Sequence, residues 1–251
     1  TGIGANGFKS IKFIWNAHPE RDQAWADAER SKIGEERFRR EHLCEFVVYD
    51  ETLINSLKLF TMYGEDPLLK AGQVRYYKNI DSSCSYILGW DPSLGTGGDN
   101  AAIQVIELPT MLQVAEWQHN KTDIRGQLRI VQSILGYIDH EVKKSSKKSE
   151  IFWSVENNTL GEAALMAISE FGEETIAGTF VSEPGNKRRG FTTTNKSKIA
   201  ACAKLKHWIE SDKLIPKSKN LVRELKTFVA KGASFEAKEG ETDDLVSALL
   251  L

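Results

Sequence analysis

The stretch Tyr86-Ile-Leu-Gly-Trp-Asp-Pro-Ser-Leu-Gly-Thr-Gly-Gly-Asp-Asn100 decides how the rest of the chain is read. Tyr86, Ile87, Leu88 and Trp90 form a short apolar run bounded by turn residues, the pattern of a buried strand. Asp91 closes it. A carboxylate there is held by a rigid element yet points into a crevice, where a metal ion or a phosphate could sit. Pro92 and the glycines at 95, 97 and 98 stop the strand and allow a tight turn. Ala101 to Leu108 and Met111 to Gln118 read as two more strands, so a meander begins with a strand that ends on an aspartate. Taken alone, Asp91 serves equally well as a turn cap.

Downstream, Asp123 to Val142 reads as a long amphipathic helix. Asp123 favours its N-terminus, and Leu128, Val131, Ile134, Leu135 and Ile138 recur at helical spacing. Ile151, Phe152, Trp153 and Val155 make another buried strand, ending at Glu156, so the pattern of an apolar strand closed by a carboxylate repeats. Asn158 or Thr159 is the expected cap of a helix over 161–170, and 175–181 is the expected next strand. The segment 185–198 is polar and basic. Helices follow over 197–212 and 220–231, then a short strand over 235–238. Asp243 and Asp244 open a last helix, apolar to Leu251, which suggests a piece cut from a longer protein.

Upstream, residues 1–7 match G-x-G-x-x-G, but no strand precedes the glycines, and Phe8 breaks any phosphate-loop pattern with Lys9; a glycine-rich turn is expected. A strand or short helix is expected over 9–16 and mixed-charge helices over 22–31 and 34–45, with Trp25, Phe38, Leu43 and Phe46 inward. Residues 50–63 look helical. The polar, turn-rich 64–85 reads as a linker.

The chain's 251 residues suit one large domain or a domain plus a fragment, and 41% hydrophobic residues suit a globular protein. No run is long enough to cross a membrane, and no signal peptide opens the chain. Cys44, Cys84 and Cys202 are scattered and odd in number, against a disulfide frame or a cysteine zinc site and in favour of reduced intracellular thiols. The formal net charge of −2 does not announce nucleic acid. Its distribution says more: Lys143, Lys144, Lys147 and Lys148 form one basic patch, and Lys187, Arg188, Arg189, Lys196 and Lys198 another.

Three segments thus place carboxylates at element ends: Asp91, Glu156, and Asp243 with Asp244. Gathered together they would repel one another strongly, a cost that divalent cations remove. Mg²⁺ and Mn²⁺ prefer such oxygen ligands, and two ions about 4 Å apart suit phosphodiester cleavage. Read singly, Asp243 is an N-cap and Asp244 a dipole partner.

The order of strands and helices fits an α/β, ribonuclease H-like mixed sheet with flanking helices, preceded by a small, mostly helical N-terminal segment. The chain resembles the large terminase subunit of tailed double-stranded DNA bacteriophages. The resemblance rests on Leu-Gly-Trp-Asp-Pro-Ser (88–93) with Gly-Gly-Asp (97–99), Val-Glu-Asn-Asn (155–158), Gly-Phe-Thr-Thr from Gly190 with Lys196 and Lys198, and Thr-Asp-Asp-Leu-Val-Ser-Ala-Leu (242–249). Trp15 and Gly-Glu-Glu-Arg-Phe-Arg-Arg-Glu-His-Leu (34–43) resemble the end of the terminase ATPase domain. The resemblance implies residues 1–63 as the end of that ATPase domain, 64–85 as a linker and 86–251 as the nuclease. It implies Asp91, Glu156 and Asp243 as metal-binding catalytic acids, with Asp244 as a further metal residue and Asp99 as a support. It implies Mg²⁺ or Mn²⁺, two ions, as cofactors. The implied partners are double-stranded DNA, a portal protein and a small terminase subunit, in the cytoplasm of an infected bacterium. The motor would lie upstream of Thr1, since Walker patterns are absent. Lys187, Arg188, Arg189, Lys196 and Lys198 could neutralise DNA phosphates, or the segment could be a surface loop, with Phe191 stacking on a base or anchoring it. Trp90 and Trp153 should be core, because alternation turns them away from the acids. Three other readings stand beside this one: a resolvase of the same fold, an actin-like or sugar-kinase-like nucleotide-binding domain, and a non-catalytic DNA-binding packaging module.

Overall fold

The computed structural model describes residues 13–44, 52–145, 149–158, 160–185 and 188–251. They belong to two units, Thr1–Asp50 and Glu51–Leu251. In the first, helices α1 (Gln23–Ile33) and α2 (Glu35–His42) form where the sequence places them. Asp22 caps α1 by accepting from the Trp25 amide at 2.8 Å. Trp25 and Phe38 pack with ring centroids 6.3 Å apart, and Phe38 is fully buried. Trp15–Ala17 is a turn of 3-10 helix. The rest of the expected element over 9–16, the glycine turn over 1–7 and Phe46 lie outside the described residues, wholly or in large part.

The second unit is built on a mixed sheet of strands β1 (Leu69–Ala71), β2 (Val74–Tyr76), β3 (Ser85–Asp91), β4 (Ala101–Leu108), β5 (Leu112–His119), β6 (Ile151–Val155) and β7 (Thr179–Phe180). Their order is β1-β2-β5-β4-β3-β6-β7. The meander β3-β4-β5 is antiparallel, whereas β6 runs parallel to β3 and β7 parallel to β6. Helix α4 (Ile124–Val142) makes the crossover between β5 and β6. Its start is fixed by Asp123, which accepts from the Gly126 amide at 2.7 Å. Leu128, Val131, Ile134, Leu135 and Ile138 are buried against Tyr86, Leu88 and Trp90. Each such side chain contributes roughly 1.5–3 kcal/mol on burial. Helix α5 (Gly161–Phe171) packs on α4 and β6 on the same side.

The opposite face is covered by α6 (Asn195–Glu210), α7 (Lys219–Thr227) and α8 (Asp244–Leu250), joined by α3 (Ser56–Thr61). Gly89 explains how closely α8 lies on the sheet. A Cβ there would fall 2.4 Å from the carbonyl oxygen of Ala248, so only a residue without a side chain admits the helix. Alternation along β3 then puts Asp91 on the face that Gly89 presents to α8.

Several expected elements differ. Residues 64–85 are not a linker: β1 and β2 extend the sheet, with Arg75 opposite Glu116 and Tyr76 opposite Ala115. The segment looks polar because its cations answer acids buried in the sheet. Arg75 lies 3.2 Å from Glu116 and Lys78 2.7 Å from Glu107, both acids having fully buried side chains. The helix expected over 220–231 ends at Thr227, and Phe228–Lys231 (β8) turns at Gly232 into a hairpin with Ser234–Ala237 (β9). Among the described residues of 50–63 only Ser56–Thr61 is helical, and within 175–181 only Thr179–Phe180 is extended, after a 3-10 turn at Glu173–Thr175. No helix among the described residues is long and apolar enough to cross a membrane, and all three cysteines are free.

Candidate metal centre

The β3–β6 register pairs Gly89 with Ser154 and Trp90 with Val155. One step further, Asp91 and Glu156 stand side by side on strands about 4.8 Å apart, and the Glu156 amide donates to the Trp90 carbonyl at 2.9 Å. Trp90 and Trp153 face the α4 side and are buried, as alternation requires. The start of α8 brings Asp243 and Asp244 to the same place. Burial pushes the Asp91 carboxyl well above the usual carboxylate range, and Glu156, as neighbouring charge and hydrogen-bond partner, pushes it further, with Asp244 and Asp243 adding to the effect. Burial also raises Asp244, and Asp243 and Asp99 add repulsion, opposed by hydrogen bonds from Asn100 and Gln118.

Neighbouring amides orient these acids. Asn100 Nδ2 donates to Asp244 Oδ2 at 2.7 Å and Gln118 Nε2 to the same oxygen at 3.4 Å. Asn158, an expected helix cap, instead donates to Glu156 Oε1 at 3.0 Å, and the N-cap position of α5 falls to Leu160, which makes no side-chain capping bond. The other expected cap, Thr159, lies outside the described residues. Asp243 occupies the N-cap position of α8 but makes no capping bond, and its Oδ2 lies 3.9 Å from Lys198 Nζ. Asp99 is exposed and reaches the cluster only as a like charge on Asp244.

As the side chains stand, no three His, Cys, Asp or Glu among the described residues close tightly enough around one point to enclose an ion. The donor set nevertheless fits one. It is all oxygen, it suits hard divalent cations, and its mutual repulsion is the cost such a cation would relieve.

The basic segment meets this site from the side. Gly190 has φ +77°, and a Cβ there would fall 2.6 Å from the Val155 carbonyl oxygen, so the chain can turn back onto β6 only with glycine. Phe191 then bridges to Glu156, and the Asn157 amide donates to the Phe191 carbonyl at 2.7 Å. Arg188 lies 3.6 Å from Glu162. Arg189 pairs with Glu173 and sits over the Phe180 ring at 4.7 Å. Lys196 is exposed on the first turn of α6, and Lys187 lies outside the described residues.

Two buried polar residues that the motifs do not flag complete the surroundings. Gln127 donates to the Ser93 and Thr122 carbonyls, both at 2.7 Å, and accepts from Trp90 Nε1 and the Ser93 amide, both at 3.3 Å. It thereby ties down the turn that follows Asp91. Glu224, on α7, accepts from the first turn of α8. Both occupy apolar-face positions of their helices, Gln127 with Ile124, Leu128 and Val131 and Glu224 with Leu221, Leu225 and Phe228. That is the one sequence signal that marks them.

A mixed sheet in this order, with acids at the ends of its adjacent parallel strands β3 and β6 and on a late helix, defines a ribonuclease H-like domain. Residues 88–251 match the family described as "Terminase RNaseH-like domain". The chain belongs to that family. Among solved structures it is similar to the large terminase nuclease of thermophilic phage G20c with bound magnesium, at 14% identity and a TM-score of 0.61, over 80% of this chain and 95% of that one. It is also similar to the large terminase nuclease domain of Thermus phage P74-26, at 15% identity and a TM-score of 0.55, over 77% and 90%. The G20c protein has been crystallised with cobalt and with zinc as well. At these identities the likeness concerns the fold, which agrees with the ribonuclease H-like expectation.

Proposed function

We propose that this chain is a divalent-cation-dependent endonuclease that cuts concatemeric double-stranded phage DNA during genome packaging. The observation that carries the proposal is the convergence of Asp91, Glu156, Asp243 and Asp244, from β3, the end of β6 and the start of α8, into one mutually repelling cluster. The metal-bound relatives make Mg²⁺ a fitting cation, and Mn²⁺ has the same ligand preferences. Asp91 and Glu156 would hold the first ion, with Asp243 and Asp244 offering oxygens for a second. Bound cations supply the Lewis acidity that activates a water and stabilises the leaving oxygen of a phosphodiester.

The chain's own side chains do the positioning. Asn158 orients Glu156, and Asn100 and Gln118 orient Asp244. Lys198 stands beside Asp243, where it offsets acidic charge and can meet a phosphate, and exposed Lys196 adds a second phosphate contact. Arg188 and Arg189 pair with acids in the free chain and would exchange those partners for phosphates on binding. Of the 1–63 segment expected to end an upstream ATPase motor, only the separate unit up to Asp50 is kept for that role, because Leu53, Ile54, Leu59 and Met62 pack into the core of the nuclease unit. Portal protein and small terminase subunit are the expected partners, in the cytoplasm of the infected bacterium. A nucleotide-binding domain of the same sheet would need a second glycine-rich phosphate loop after β6, where this chain has Glu156-Asn-Asn.

Cleavage of supercoiled plasmid with Mg²⁺, Mn²⁺ or EDTA tests the reading. The expected result is metal-dependent nicking and linearisation that Asp91→Ala abolishes, a loss of roughly a thousandfold or more if several kcal/mol of charge stabilisation go with the ion. A folded chain that cuts with neither metal contradicts it.

A further inference from the structure

Glu224 is buried, with 5% of its surface exposed, and no Lys or Arg among the described residues forms an ion pair with it. Its carboxylate is instead surrounded by donors. Oε2 accepts from the backbone amides of Leu245 at 2.8 Å and Val246 at 3.1 Å. Oε1 accepts from Gln118 Nε2 at 2.9 Å and Thr242 Oγ1 at 3.1 Å. Two of these donors belong to the first turn of α8, whose amides lack partners within the helix. The residue at the N-cap position, Asp243, leaves them unused. A third donor, Gln118, reaches Asp244 Oδ2 with the same nitrogen. Glu224 therefore does from α7 what Asp243 would ordinarily do within α8.

We infer that Glu224 is a positioning residue of the metal centre: by capping α8 from the neighbouring helix it frees the Asp243 carboxylate and, through Gln118, sets where Asp244 stands, and so governs how tightly the site holds a divalent cation. This inference rests on the nuclease reading above. It assigns Glu224 no contact with metal or DNA. Its effect passes through the backbone of residues 243–246 and through one amide side chain. Partners of this kind, one step removed from the ligands, typically change metal affinity or activity by about 10–100-fold when altered.

The conservative change Glu224→Gln keeps size and one acceptor oxygen. If that oxygen stays on α8, the new amide group faces Gln118, which must turn away from Asp244 to accept from it. Mn²⁺ titration of the full chain, following loss of the free-ion electron paramagnetic resonance signal, reads affinity without activity. The Mg²⁺ dependence of plasmid cleavage reads it through function, and thermal unfolding in EDTA reports the fold. The expected result is a folded Glu224→Gln chain whose Mn²⁺ dissociation constant and half-activating Mg²⁺ concentration both rise about tenfold or more. Glu224→Asp, which keeps the carboxyl group but withdraws it by one methylene, should shift both by less.

A purely structural Glu224 would lower the melting temperature while the folded chain kept wild-type affinity. That result in Glu224→Gln overturns the inference and leaves the nuclease reading in place. If Glu224→Gln does not fold, Glu224→Asp decides in the same way. A wild-type chain that neither takes up Mn²⁺ nor cuts DNA overturns the nuclease reading, and the inference with it.

Discussion

Asp91 carries a charge that the metal-free fold resists. Its carboxyl is raised by burial first and by Glu156 second, so the folded chain binds a proton there more readily than the unfolded chain does. Asp244 is raised for similar reasons, and burial lifts Glu224 from its ordinary 4.5 to about 8. The sign follows directly. Where the folded state holds more protons, stability falls as pH rises. The contribution of these acids is fully present below the ordinary carboxylate range and is lost progressively as pH rises, that of Glu224 through about pH 8. In EDTA the melting temperature should therefore fall between pH 5 and 8. Mg²⁺ should restore it most at the alkaline end, because carboxylates must be deprotonated to ligate. Asp91→Asn removes one of the repelling charges. Its melting temperature in EDTA at pH 8 should exceed that of the wild type by about 2–4 °C, the response of a domain this size to roughly 1 kcal/mol. Mg²⁺ should no longer raise it. Melting curves across pH in EDTA and Mg²⁺ check both, and a pH-independent wild-type curve contradicts the electrostatic account.

At the scale of elements, the site depends on α8 lying flat on β3. The contact at Gly89 is tight enough that any side chain there would collide with the Ala248 carbonyl. Gly89→Val must displace α8 or bend the strand. Overpacking of this kind typically costs about 1–3 kcal/mol, and here it should also uncouple Asp243 and Asp244 from Asp91. Stability alone cannot distinguish this from a general packing defect. The sharper expectation is that folded Gly89→Val loses the Mg²⁺-induced rise in melting temperature. A wild-type Mg²⁺ response would show that α8 need not sit on β3 for the acids to bind.

The meander, α4, β6 and the acids at strand ends were readable from the sequence because each is a local pattern: apolar periods closed by a carboxylate. The last helix was readable from its start, but not the device that caps it, since Asp243 at the expected cap makes no capping bond and Glu224 does. Glu224 and Gln127 act through contacts 21 and 34 residues away in sequence, which no short motif encodes. Strand β8 was read as the end of a helix because Phe228 and Val229 continue the apolar face of α7, whereas its partner β9 falls where a strand was expected. Only the turn at Gly232 and the pairing of Val229 with Glu236 show the change of period.

For the molecule as a whole, the largest revision concerns residues 64–85. Their charges suggested solvent, yet Arg75 and Lys78 answer Glu116 and Glu107, whose side chains are fully buried. A truncation at residue 86, where the family match nearly begins, would strip β1 and β2 and leave both acids without their cations. Leaving one partner of a buried pair uncompensated costs about 3–5 kcal/mol, and two such losses consume much of a typical domain's roughly 5–15 kcal/mol of stability. Residues 86–251 alone should therefore be insoluble or unfolded. Residues 51–251, the complete unit, should unfold cooperatively and cut plasmid. Expression of both fragments, followed by calorimetry and the cleavage assay, decides this. A stable, active 86–251 would show that the two buried pairs matter less than their burial implies.

Anomalous diffraction from crystals of the chain soaked in Mn²⁺ tests whether the acids at the ends of β3 and β6 and at the start of α8 form one divalent-cation site. The expected result is anomalous density between Asp91 and Glu156, with a carboxylate of Asp243 or Asp244 completing the ligand set, and none at that position in Asp91→Asn crystals. Full occupancy elsewhere, or no density at this cluster at saturating Mn²⁺, would contradict it.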